Sequence, residues 1–303
     1  MLARMPARAF PSPLALLLCA ALAGCSQPPP FAQLAGLIVA PQLNELSGMA
    51  ASRVDPDTFW VLNDGGSTPT LYAIGKHGGL EATVQVDGVT NTDWEDLDGF
   101  DLAGRHYLLI ADTGDNGGLR RTLQLHIVEE PRVVADGHVR PAWSIVFRWP
   151  DGPRDCEAVA VDAARGQILL ISKRRRPPEL FVLPLRPATS GLQVARSVGH
   201  LAGIPEPDAA SLEDNPRLAR MRHQVTAANL SPDGRSMAVL TYSDLLVYRR
   251  KRQEPWEQAL LKAPMAFQLP WLPQAEALAW AADGRGLYVT GEHSPAPLLV
   301  LNP

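Results

Sequence analysis

The segment "DWEDLDGF", Asp93 to Phe100, sets Asp93, Glu95, Asp96 and Asp98 around one tryptophan. Carboxylates crowded this closely must be compensated by a cation, by protonation, or by hydrogen bonds from backbone N–H groups and arginines, since like charges a few ångströms apart repel strongly at reduced dielectric. Related residues recur along the chain: Glu45 in "NELSGMAAS", Glu157 in "CEAVAVDAA" and Glu276 in "AEALAWAAD", with Thr226 in the same place in "VTAANLSPD". A second set ends the apolar run that follows each of these: Asp64, Asp112, Lys173, Tyr242 and Glu292. The loop "DTGDNGG" from Asp112 adds Asp115, but it is not an EF-hand, because Leu123 stands where the closing Glu would be. Calcium, a hard ion that takes about six to eight oxygen ligands, suits Glu45, Asp64, Glu95, Asp112, Asp115, Glu157, Glu276 and Glu292 as candidate ligands.

Residues so far apart in the chain need a fold that gathers them. Five similar units begin at Asn44, Trp94, Cys156, Val225 and Ala275, at spacings of 50 to 69 residues. Each runs from a small-and-apolar strand through an Asp- or Gly-rich turn such as "SPDGR" to a second apolar strand, then a third, with a less regular fourth in the first four units. Prolines and glycines, 28 and 24 in 303 residues, favour short elements joined by turns. The pattern predicts an all-β chain, a β-propeller of five four-stranded blades. The last unit lacks its fourth strand, and "AQLAGLIVAP", Ala32 to Pro41, is expected to supply it and close the ring. Six blades are the alternative, if Leu192 to Arg222 hides a degenerate unit. The first strand of each blade lines the axis, so the acids are expected around one channel mouth, with Lys173 the one basic residue among them.

A basic set lies beside the acidic one. "SKRRRPP" supplies Lys173 and Arg174, and Arg120 and Arg121 follow the second strand of the second unit. With Tyr242 they are candidates for holding a small anionic ligand, phosphate or carboxylate, or a protein partner. A net charge of -4 and a short basic run without interleaved aromatics argue against nucleic acid. No Gly-x-Ser-x-Gly elbow, His-Glu-x-x-His pair or phosphate-cradling glycine loop occurs. Cys156, inside a strand pattern, reads as a small buried hydrophobe.

The first 24 residues carry Arg4 and Arg8, an apolar run too short to span a bilayer, and Leu22-Ala23-Gly24 before Cys25. This resembles the bacterial lipobox and implies an exported protein lipidated at Cys25, with 25–31 as a tether and 32–303 as one propeller domain. An ordinary secretory signal is the alternative. Ser26 resembles the sorting signal for the outer membrane, facing the periplasm, in a host with two membranes.

With the repeats in place, the chain resembles exported β-propellers of the phytase-like, "esterase-like" group. The resemblance rests on "LSGMAAS…FWVLNDGG…LYAIGKHGG", "DWEDLDGF…IADTGDN" and the "EA(V/L)A" strands at Glu157 and Glu276. It implies a calcium-lined channel with Glu45, Glu95, Glu157 and Glu276 as ligands, Lys173 or nearby arginines as phosphate holders, and hydrolysis of phosphate esters. The family phytases have six blades, and Thr226 breaks the ring here. The residues themselves favour a membrane-anchored binding module with an acidic mouth, and a calcium-dependent phosphoesterase is the alternative.

Overall fold

In the computed structural model the described residues are 31–303. The signal segment 1–24, the lipidation expected at Cys25 and the tether as far as residue 30 lie outside them.

The chain enters on β1 (Ala32–Ile38) and then lays down antiparallel strands blade by blade. Blade one holds β2 (Leu46–Ala51), β3 (Thr58–Asn63), β4 (Thr70–Gly75) and β5 (Leu80–Val86). Blade two holds β6 (Trp94–Leu102), β7 (Arg105–Asp112) and β8 (Leu123–Glu129). The chain then crosses back to lay β9 (Gly137–Val139) against β5 before β10 (Pro141–Arg148) completes blade two. Blade three follows as β11 (Ala158–Asp162), β12 (Gln167–Ile171) and β13 (Glu179–Pro184). A second crossing places β14 (Gln193–Val194) beside β10, and β15 (Arg196–His200) finishes the blade. Two six-residue helices, α1 (Ala209–Asp214) and α2 (Pro216–Met221), lead to blade four: β16 (Val225–Leu230), β17 (Ser236–Thr241), β18 (Asp244–Arg249), the short α3 (Trp256–Ala259) and β19 (Met265–Gln268). Blade five is β20 (Ala275–Trp280), β21 (Leu287–Gly291) and β22 (Ala296–Leu301), with β1 as its outer strand.

The ring therefore has five blades, and β1 pairs antiparallel with β22 from Ala32↔Leu301 to Ile38↔Ala296. The segment 192–222 adds edge strands to blades two and three and then turns helical, so among the described residues it builds no sixth blade. Apolar clusters fill the spaces between neighbouring sheets. Alanines at 158, 160, 227, 228, 277 and 279 let the inner strands converge, all at or below 1% exposure. Cys156 is fully buried among these apolar groups, and burial pushes its thiol well above the usual range.

Buried polar groups fasten blade to blade where inner strands present unpaired backbone. Asp96 accepts from Val159 N at 2.8 Å and Ala228 N at 3.4 Å, and Asp98 accepts from Val161 N at 2.6 Å and Asn229 Nδ2 at 2.8 Å. Two of the four acids in the opening segment thus brace the channel shaft from blade two to blades three and four. Elsewhere Glu130, after β8, accepts from Ser52 Oγ and Trp60 Nε1 of blade one, and Arg250 of blade four pairs with Asp162 of blade three at 2.6 Å. Asp98→Ala leaves two buried donors unsatisfied, and urea denaturation is expected to show a loss of about 2–4 kcal/mol. A loss under about 0.5 kcal/mol would show that this brace is dispensable.

Candidate metal site at the channel mouth

The site is built by a backbone irregularity repeated around the axis. In β2, β6, β16 and β20 the pairing with the second strand skips one residue near the head of the inner strand: Ser47, Glu95, Thr226 and Glu276. Glu157 stands immediately before the ladder of β11, in the corresponding place. An extra residue in a strand breaks the alternation and re-aims a side chain. The ring of the mouth is therefore Ser47, Glu95, Glu157, Thr226 and Glu276. Its hydroxyls bind the next blade's carbonyls, Ser47 Oγ donating to Glu95 O at 2.5 Å and Thr226 Oγ1 to Ala275 O at 2.7 Å.

Glu45, expected in this ring, lies two residues earlier on the exposed rim, where Ser67 Oγ is 3.4 Å from its carboxylate. Its true counterparts are Asp93, Asp155, Gln224 and Gln274, each two residues ahead of the ring position. The backbone confirms the register: the carbonyls of Glu45, Asp93, Asp155 and Gln274 each accept from the amide of the facing second-strand end, at 2.7–3.1 Å. Asp93 and Asp155 were not among the expected ligands, and the acid-x-acid spacing of Asp93-Trp94-Glu95 and Asp155-Cys156-Glu157 was the available signal.

Two overlapping groups result. Oxygens of Asp64, Asp93 and Glu95 lie within 4.8 Å of one another, and so do oxygens of Glu95, Asp155 and Glu157. Glu95 belongs to both and is 3% exposed. Its Oε1 is buried and accepts no hydrogen bond. Asp155 Oδ1 accepts from Asp115 N at 2.9 Å, whereas Oδ2 lies 3.2 Å from Arg174 Nε without hydrogen-bond alignment. Gly114 covers the first group so closely that an added Cβ would overlap Glu95 Oε1 and Asp93 Oδ2. Only a residue without a Cβ lets the two carboxylates pack this closely against the loop.

Compensation is incomplete. Lys173 Nζ touches Glu157 Oε1 and lies 5.3 Å from the centre of the Tyr242 ring. Burial alone would lower the Lys173 pKa, but Glu157 outweighs it and keeps the lysine protonated. Burial raises both Glu95 and Glu157; the Glu157 charge raises Glu95 further, whereas Lys173 pulls Glu157 back down. With the ammonium against Glu157, the excess charge falls on Glu95. Burial, then Asp64, raises Asp93 to about 6; burial, then Glu292, raises Glu276 to about 7. Tyr242 Oη donates to Glu276 Oε1 at 2.7 Å, and burial raises Asp64 and Glu292 as well.

Other expected ligands serve the loops. Asp112 is fully buried, pairs with Arg120 at 2.6 Å and accepts from Asp93 N at 3.2 Å, so it holds the Asp93 loop rather than facing the axis. Asp115 accepts from Leu119 N at 2.7 Å and Arg120 N at 3.1 Å, closing its own loop. Arg120 also donates to Gly114 O at 2.7 Å, and Arg174 donates to Asn116 O at 2.8 Å, so both strap loops together. Arg121 is exposed. Glu292 accepts from Gln274 Nε2 at the rim. The sequence also hid a Ser243–His223–Asp244 cluster. Both Ser243 Oγ and Asp244 Oδ2 approach the same His223 nitrogen, Nδ1, at 3.4 and 3.2 Å, so it lacks the relay geometry of a hydrolytic triad.

Fold and mouth together define a five-bladed propeller with an anionic axial opening. No protein-family model matches the chain, and no curated protein matches it. Among solved structures it is similar to a chain of a nidogen/laminin complex, at 13% identity and TM-score 0.44 over 82% of this chain and 73% of that one. It is also similar to a luciferin-regenerating enzyme, at 10% identity and TM-score 0.44 over 88% of this chain and 95% of that one. Likenesses at this level carry no argument about the mouth.

Carboxylates raised above their unfolded values stabilise the fold at low pH, and that stability is lost as pH rises through their folded values, about 6 for Asp93 and about 7 for Glu276 and Asp98. In chelator the melting temperature is therefore expected to be higher at pH 5 than at pH 8. A flat profile, or one rising toward pH 8, would contradict the crowding.

Proposed function

We propose that this protein is an exported, lipid-anchored propeller that binds calcium at its channel mouth and uses the bound ion to hold an oxyanionic ligand. The observation that carries the reading is the pair of overlapping carboxylate groups sharing Glu95, whose buried Oε1 has no hydrogen-bond partner among the described residues. The donors fit: they are hard oxygens, burial and then one another's charge raise several of them, and Gly114, lacking a Cβ, lets Glu95 and Asp93 crowd together. Asp64, Asp93 and Glu95 would hold the ion, with Asp155 and Glu157 adjoining. Once bound, a divalent cation neutralises the cluster and offers an electrophilic face to ligand oxygens. The chain's own residues do the rest. Lys173 fixes Glu157, Tyr242 fixes Glu276, and Asp112 with Arg120 fixes the Asp93 loop.

A binding role has more support than phosphate-ester hydrolysis, because Lys173, the phosphate holder that the resemblance implies, is taken up by Glu157 and Tyr242. Calcium at about 100 times its dissociation constant is expected to raise the melting temperature by about 5 °C or more at pH 8. Magnesium, which demands a tighter octahedral shell, is expected to do less. Glu95→Gln keeps the shape but removes one repelling charge, so it should raise the melting temperature in chelator while abolishing the calcium response. No response in the wild type would end the calcium reading, and phosphate release from ester substrates by the loaded protein would favour the hydrolytic one. Cys25→Ser is expected to move the protein from the membrane to the soluble fraction; unchanged membrane recovery would refute the anchor.

A further inference from the structure

The mouth is chemically lopsided. At the positions ahead of the ring, blades one to three carry Glu45, Asp93 and Asp155, whereas blades four and five carry Gln224 and Gln274. In the ring itself blade four contributes Thr226, which is neutral. An anion approaching over blades one to three meets carboxylates. Over blade four it meets Gln224, Thr226 and Tyr242, and the neighbouring acids of blade five, Glu276 and Glu292, are already engaged by Tyr242 and Gln274, so blade four is the approach of lower repulsion.

A groove of about 340 Å³ opens on that side. Its outer wall is apolar: Leu218 and Met221 of α2 face Leu269, Trp271 and Leu272 of the loop between β19 and β20. Trp271 is 89% exposed and Leu218 46%, although every other tryptophan in the described chain is at least partly buried. Pro270 and Pro273 bracket Trp271 and limit the freedom of that loop. The inner end of the groove is Tyr242 and Gln274, which also belong to the mouth: Tyr242 Oη binds Glu276, and Gln274 binds Glu292. The groove thus reaches Glu276 and Glu292 of the mouth directly, and the carboxylate cluster through Tyr242, whose ring lies 5.3 Å from the Lys173 ammonium that pairs with Glu157; the volume lies in the range of small-ligand sites, about 300–1,000 Å³.

Resting on the calcium reading above, we infer that the ligand is an amphiphilic oxyanion: an alkyl or aryl body lies in the groove against Trp271, Leu218 and Met221, and a phosphate or carboxylate head reaches the cation at the mouth from the blade-four side. An inorganic anion would use the head position alone and leave the groove empty. A fully polar polyanion would gain nothing from Trp271.

The test is calorimetric titration of calcium-loaded full-length protein with decyl phosphate and decanoate, both below their micellar concentrations, against inorganic phosphate and acetate. Each buried methylene adds apolar burial, so the decyl compounds are expected to bind at least about tenfold more tightly than the short anions. The phosphate and carboxylate arms show which head the cation prefers. Trp271→Ala, at an exposed position that should fold normally, is expected to remove most of that advantage while leaving calcium and inorganic phosphate affinities unchanged. Leu218→Ser should act in the same direction. Affinity independent of chain length, or unchanged in both variants, overturns the inference even if calcium binds. If calcium fails to bind, the reading beneath fails separately: a chain-length preference that depends on Trp271 in chelator still supports the groove, and its absence overturns it. Loss of a dimer on Trp271→Ala, or vesicle binding that depends on Trp271 without any free amphiphile, assigns the groove to another occupant and also overturns the inference.

Discussion

The mouth depends on a single constraint: five inner strands converge on one axis, and a local break in pairing at the head of four of them, with the start of the ladder in the fifth, turns a side chain onto it. Where that side chain is glutamate, its charge has nowhere to disperse. Lys173 answers one carboxylate and Tyr242 another. Glu95, flanked by Asp64 and Asp93 on one side and Asp155 and Glu157 on the other, is left with a buried oxygen that nothing among the described residues satisfies. Buried polar groups are nearly always paired. An oxygen held without a hydrogen bond beside four other acids is what the proposed cation would satisfy.

The same few residues show how a carboxylate's role depends on depth. Asp96 and Asp98 sit deeper along β6, where neighbouring inner strands offer N–H groups, and they are consumed in bracing the shaft. Asp93 and Glu95 sit where the strand begins and no further backbone remains to receive them. The bracing of the shaft keeps blades two, three and four in register, and so fixes the separation of Glu95 from Glu157. Fold and site are coupled through one strand.

Much of this was legible in the sequence. The repeated strand–turn–strand pattern gave five blades, and a final unit short of one strand pointed to Ala32–Ile38 as its partner. The inner position of Glu95, Glu157 and Glu276 followed from the same repeat. Glu45 was misplaced because alignment by acid matched it to Glu95, when the residue in that register is Ser47, which carries no charge to align. Asp112 and Asp115 were misassigned because composition cannot say which way a loop turns after its strand; they bond Arg120 and local amides instead. Asp93 and Asp155 were overlooked because only two blades keep an acid-x-acid pair, while the others substitute Ser, Gln or Thr. The groove at Trp271 could not be seen at all, since α2 and the loop after β19 are separated by a whole blade of sequence.

The most direct test is anomalous diffraction from crystals soaked in a lanthanide, which replaces calcium on hard oxygen ligands. The account predicts a peak between Glu95, Asp93 and Asp64, with Glu95 Oε1 at about 2.3–2.6 Å from the ion. An empty mouth with Glu95 hydrogen-bonded to a neighbouring blade, or an ion bound only at distant surface acids, would contradict it.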